Sequence, residues 1–355
     1  MRTALWGLAA GVSLWGSVAM GAATVPVTTL PWGTAALVQD PNQPVIYATV
    51  PSLNSVAVID SNTLAVKTTI GIGSNPRGLT LSPDGSRLYV ANSGSNFVGV
   101  IDTATRQALA PIAIPAGSPQ GVQYGTNGRL WVLSGGGIQQ IDPTTGASTG
   151  PNATNADGQF PLLLYGGDIR VSSDRKTLYY GGYGTSPSYL YKYDVSGTNP
   201  SQVWAMSPGS NGEDVELSHN GNTIVHVDGG GNGSGYGIIP YRTSDQLAAG
   251  TMNVGAYPRS FAYSPDDKVG YAGAAFQTPN IQIYDLTTFL KTGTITAAAD
   301  PSGLFVDDSG RYLFASEPNA TQVFATGRSV PEPAAVSLVA LGGIAWAGRR
   351  GRRRV

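Results

Sequence analysis

Between residues 24 and 329 the chain alternates short apolar runs with clusters of Gly, Pro, Asn, Asp and Ser, and no stretch keeps the 3.6-residue period of an amphipathic helix. The unit is plainest from Pro76 to Ser118. Arg77-Gly78-Leu79-Thr80-Leu81 is an alternating run closed by the turn Ser82-Pro83-Asp84-Gly85. Arg87 to Asn92 is a second run, Phe97 to Asp102 a third and Ala108 to Ile114 a fourth, each set off by turn residues. Short runs with this punctuation predict a meander of four antiparallel strands.

The same unit recurs along the chain. The third residues of the first turns are Asn42, Asp84, Asn127, Asp174, Asn220, Asp266 and Ser309, so successive copies are spaced 42, 43, 47, 46, 46 and 43 residues apart. Third strands end on an acid at Asp60, Asp102, Asp142, Asp194 and Asp285, where a carboxylate can cap turn amides. Seven four-stranded copies of about 44 residues predict an all-β, seven-bladed β-propeller. One blade exposes two apolar faces and is unstable alone; a closed ring covers every face with a neighbour. The last copy has only three clear strands before Arg328, so residues 24–28 are expected to add the fourth and close the ring.

Both ends of the chain depart from this pattern. Met1-Arg2, the apolar stretch Leu5 to Ala19 and the small residues Gly21, Ala22 and Ala23 predict a signal peptide over residues 1–23. The propeller is expected over 24–329 and a sorting tail over 330–355. That tail holds Val330-Pro331-Glu332-Pro333, an apolar run from Ala334 to Ala347, and Arg349, Arg350, Arg352, Arg353 and Arg354. The run falls short of the roughly 20 residues of a full membrane span, and the arginines favour the cytoplasmic side. A marginal, transient anchor helix is the expectation.

Composition sharpens the picture of the middle. Arg2 and the five terminal arginines hold six of the 21 basic residues, so the region between them carries 15 basic against 22 acidic groups, a net charge near −7. An acidic surface argues against a nucleic-acid partner. With no cysteine there is no disulfide and no thiolate chemistry.

Two family resemblances rest on these residues. Ser82-Pro83-Asp84-Gly85, Arg87-Leu88-Tyr89-Val90-Ala91-Asn92 and Val100-Ile101-Asp102-Thr103-Ala104-Thr105 resemble the YVTN β-propeller repeat of bacterial surface and periplasmic proteins. Val330, Pro331, Glu332 and Pro333 with Arg349 and Arg350 resemble the PEP-CTERM sorting signal. That resemblance implies export across the inner membrane of a Gram-negative bacterium, transient anchoring, and processing by an exosortase-type transpeptidase. The cell surface or extracellular matrix would then be the destination.

Catalytic constellations are sparse. The histidines are His219, in a strand-connecting turn, and His226, within the following strand, and both read as structural. No nucleophile elbow, phosphate loop or zinc spacing is present, and no cofactor is expected. Two places break the repeat: the glycine-rich stretch after Asp228, which reads as a flexible loop rather than a calcium site, and the insertion from Asn152 to Pro161. Counting seven residues back from each turn position gives Ala35, Arg77, Gln120, Gly167, Glu213, Arg259 and Ser302, with Asp168 and Asp214 adjacent. If first strands line the channel, this ring is a mouth, and Arg77, Gln120, Asp168, Glu213, Asp214 and Arg259 are its candidate ligand-binding groups. Two functions fit: an exported, non-catalytic scaffold binding an extracellular polysaccharide or surface protein, and an extracytoplasmic hydrolase of lactonase type.

Overall fold

The computed structural model describes residues 25–328 except 136, 155–165, 232–234 and 279. The signal peptide and the sorting tail, with Val330, Pro331, Glu332, Pro333, Arg349 and Arg350, lie outside the described residues, as does most of the Asn152–Pro161 insertion. Among the described residues no helix is long and apolar enough to cross a membrane.

Seven blades form the ring. Blade 1 spans the strands Leu37–Gln39 to Val66–Gly71, and blade 2 spans Pro76–Leu81 to Gln107–Ala113, each a four-stranded meander in chain order. Blade 4 (Gly167–Val171 to Ser201–Met206) and blade 6 (Pro258–Tyr263 to Lys291–Ile295) repeat that order. Blades 3 and 5 are looser. Blade 3 has three strands from Gly121–Tyr124 to Gly137–Ile141, and among the described residues its outer edge is held by bridges at Ser148 and Ala153 and by Thr149 N donating to Gln140 O. In blade 5, Gly212–Leu217, Thr223–Asp228 and Pro240–Arg242 form one sheet, while Gly237–Ile238 pairs separately with Met252–Asn253.

Blade 7 closes the ring. Gly303–Val306, Tyr312–Ser316 and Thr321–Ala325 take their fourth strand from Thr28–Leu30, with Thr28 opposite Val323 and Leu30 opposite Thr321. The closing strand thus sits slightly later than the expected 24–28. Pro26 explains the shift: it has no N–H to give to a ladder, and the first bond comes from Val27 N to Val323 O at 2.8 Å.

The core is divided between the blades. Seven apolar clusters lie one at each junction, from blades 1 and 2 (Val45, Tyr47, Leu79, Leu88) round to blades 7 and 1 (Phe314, Val323, Leu30, Ile46). The first strands of successive blades lie beside one another and are innermost. Their close approach requires small residues: a Cβ at Gly78 would stand 3.0 Å from Gly121 Cα, and Gly78 N donates to Gln120 O.

The turns do what their sequence predicts. Asp60 caps Asn62 N and Thr63 N, Asp142 caps Thr144 N and Thr145 N, and Asp285 caps Thr287 N and Thr288 N. First turns repeat a second device, in which Ser82, Ser172, Ser218 and Ser264 each accept an amide from five residues on. These groups are fold chemistry and are spent locally.

Candidate functional site

A cavity of about 680 Å³ runs through the ring. In each blade the chain descends along the first strand, so the ring residues and the loops between second and third strands share one face. The first turns lie on the other. Ala35, Arg77, Glu213, Arg259 and Ser302 line the first mouth. Gln120 and Gly167 do not line the cavity: Gln120 Oε1 packs beside Gly166, 2.9 Å from where a Cβ there would stand.

The predicted ring misses what lies below it. Below the rim, residues one and three places after the ring positions, which share a strand face with each other, line the channel in most blades. In blades 1, 2 and 7 these are Ala36 and Val38, Gly78 and Thr80, and Gly303 and Phe305. In blades 4 and 5 they are Asp168 and Arg170, and Asp214 and Glu216. The charge is therefore concentrated on one side of a pseudo-symmetric channel. Arg170 and Glu216 could have been found from Asp168 and Asp214 by stepping two residues along the strand.

Arg170 is the centre of that wall. Its Nη2 stands 2.7 Å from Glu216 Oε1 and 4.0 Å from Asp214 Oδ1, and its Nη1 bonds Asp168. Burial opposes the guanidinium charge, but Asp168 and Glu216, with Asp214 a smaller contributor, raise its pKa further. Asp214 is pushed the other way for a carboxyl, up to about 8, by burial first and by the Glu216 carboxylate second, with Arg170 opposing. It accepts from Val215 N at 2.8 Å and from Phe261 N at 2.9 Å, which pins it between blades 5 and 6. Beside it the Tyr183 hydroxyl is held well above its ordinary pKa by burial and by Asp168 and Asp214.

The two mouths differ. At the first, Arg259 Nε is 3.9 Å from Glu213, which also accepts from Asn211 Nδ2, and Arg77 is exposed. At the second, His219 lines the cavity with Asp308. His219 Nδ1 is 3.1 Å from Asp267, and this bond is the main reason its pKa is raised. It therefore tethers blade 5 to blade 6 and faces the channel as well. His226 is fully buried, 3.0 Å from Asp228 Oδ1, which also takes the Ser188 hydroxyl. Asp228 thereby links His226 to Ser188 inside the fold. Among the described residues no group of three or more His, Cys, Asp or Glu is arranged to hold a metal ion.

Comparison with known proteins agrees with this architecture. No family model matches the chain. "Seven-bladed beta-propeller protein Rv1057" of Mycobacterium tuberculosis is 52% identical over 54 residues, and the match spans 14% of each chain. Kuenenia stuttgartiensis hydrazine synthase superposes with a TM-score of 0.63 at 20% identity, over 84% of this chain and 96% of that one. A chain of a mitotic checkpoint complex does so with a TM-score of 0.65 at 16% identity, over 92% and 98%. At such identities the likeness is one of fold. The protein is an all-β, seven-bladed β-propeller with a short stretch of homology to another.

Proposed function

We propose that this protein is an exported, non-catalytic binding scaffold that presents the Arg77–Arg259 mouth of its channel away from a membrane. One observation carries the reading: both ends of the described chain leave from the opposite face. Val25 precedes a strand that rises toward the first mouth. Arg328 stands 3.0 Å from Asp266 in a first turn, beside Thr326, which bonds Gly310 in another. Segments attached at these two points emanate from the face that carries His219. A tail inserted in a bilayer would hold that face inward and leave the first mouth open to a partner.

The resemblance of residues 330–355 to PEP-CTERM signals, and of the blades to YVTN repeats, supports export and sorting by an exosortase-type enzyme. The channel chemistry supports binding over turnover. Asp168 and Glu216 are committed to Arg170, and Asp214 to two backbone amides. The partner is an extracellular polysaccharide or a surface protein, and a lactonase is the second reading.

Intact-mass measurement of the protein from its native host tests the proposal. The expected mass lacks residues 1–23 and the terminal arginines. A chain that retains Arg349 to Arg354, or a purified domain that opens lactones at enzymic rates, would overturn it.

A further inference from the structure

We propose that Tyr236, Tyr257 and Phe276 form a carbohydrate-binding corner on the rim of the first mouth, suited to neutral glycans of all-equatorial hexopyranose units. This deepens the scaffold reading by naming a ligand class, and it does not depend on the sorting tail.

The three rings are 41%, 44% and 81% exposed, respectively. Tyr236 and Tyr257 have ring centroids 5.7 Å apart, and Phe276 stands edge-on to Tyr257 at 5.4 Å with an interplanar angle of 83°. They belong to three loops of blades 5 and 6 on the face of the first mouth, and Tyr257 lies two residues before Arg259. The fold does not need them there. The residue two places before the ring position has a positive φ in blades 2, 3, 5 and 6, and the first three use Asn75, Ser118 and Asn211. Short polar residues tolerate that conformation, whereas a bulky aromatic is an outlier. Blade 6 places Tyr257 at φ 51°, and its next loop holds Phe276 at φ 60°. Two strained, solvent-facing aromatics in one patch break the repeat where a site should.

The loops that carry Tyr257 and Phe276 are tied to one another. Gln277 Nε2 donates to Val254 O and Ala256 O, Gln282 bonds Val254 O, and Tyr284 bonds Asn253 O, all in the segment leading to Tyr257. Phe276 N donates to Asp300 Oδ2 at 3.1 Å, which links the corner to blade 7. Such a frame lowers the ordering cost of presenting Tyr257 and Phe276 to a ligand.

The chemistry selects the occupant. Ring faces carry a negative quadrupole and attract the C–H-rich faces of a pyranose whose hydroxyls are all equatorial. The tyrosine hydroxyls and the planar polar groups of Asn211, Glu213 and Arg259 nearby suit sugar hydroxyls. Glu213 stands 3.9 Å from Arg259 and offsets the cation nearest the corner.

Calorimetric titration of the full chain in mild detergent with cellohexaose tests the site. Binding is expected, and Phe276→Ala and Tyr257→Asn should each weaken it at least tenfold. Asn occupies the same conformation in two other blades, so Tyr257→Asn should leave the melting temperature unchanged or raise it. Absence of cellohexaose binding, or unchanged binding by both variants, overturns the proposal. So does a loss of self-association in the variants without a loss of glycan binding, which would make the patch an interface between copies. Chromatography of the hexaose afterwards separates the two readings: shortened products sink the non-catalytic scaffold and leave the corner standing.

Discussion

Asp214 shows how one residue can set a pH response. Its folded pKa of about 8 stands above the roughly 4 of an unfolded Asp, so the folded state keeps a proton that the unfolded chain releases. Stability from this group is full below pH 4 and is lost as pH rises toward 8. His219, also raised, acts in the same direction above its unfolded value, because its protonated form is the one Asp267 holds. Glu216 and Asp308, also raised by burial, add to the same decline, whereas depressed carboxyls such as Asp84, near 2, matter only below pH 4. Thermal unfolding midpoints should therefore fall between pH 4 and 8. Asp214→Asn should flatten that decline by on the order of 2 kcal/mol, allowing for the coupling to Glu216 and Arg170. The slope is the readout, since Asn cannot accept from both Val215 N and Phe261 N. An identical slope in the variant would remove Asp214 as its source.

Among the elements, the short strand Thr28–Leu30 carries more than its length suggests. It covers the outer edge of blade 7, and Leu30 enters the cluster shared by Phe314, Val323, Ile46 and Val50 at the junction with blade 1. No covalent bond closes the circle, so the first and last copies are joined by this strand, by the shared apolar cluster, and by hydrogen bonds such as Asp308 N to Gln39 Oε1. Leu30→Ala should cost about 2–5 kcal/mol as a buried large-to-small change. Removing residues 24–26 should cost little, because Pro26 makes no ladder bond and pairing starts at Val27. Truncation through Leu30 should then lower the melting temperature far more than truncation through Pro26. Equal effects of the two truncations, measured by calorimetry, would show that the seam does not limit stability.

At the scale of the whole molecule, the ring was legible because most blades repeat the same turn chemistry, from Ser82 and Asp84 to Asp307 and Ser309. The first mouth was legible by counting from those turns, which located Arg77, Glu213 and Arg259. The charged wall was only half legible, because Arg170 and Glu216 lie where strand alternation, not turn position, decides the facing. Gln120 went astray because the chain before blade 3 turns its side chain toward Gly166. The aromatic corner was invisible because its three rings come from separate loops. Placement of both ends of the described residues on one face was likewise hidden until the closing strand had a direction. It makes an orientational prediction that the absence of cysteine renders simple to test. Leu53 lies in a loop on the face of the first mouth and Leu290 in a turn on the opposite face, and both are exposed. A spin label at Leu53→Cys or Leu290→Cys, with the full chain reconstituted in liposomes, would report depth through nickel-chelating headgroups. A chain held by residues 330–355 should bring position 290 into relaxation range and keep position 53 outside it. Equal relaxation at the two positions would mean that the propeller tumbles freely on its tether, and the outward-facing mouth would lose its basis.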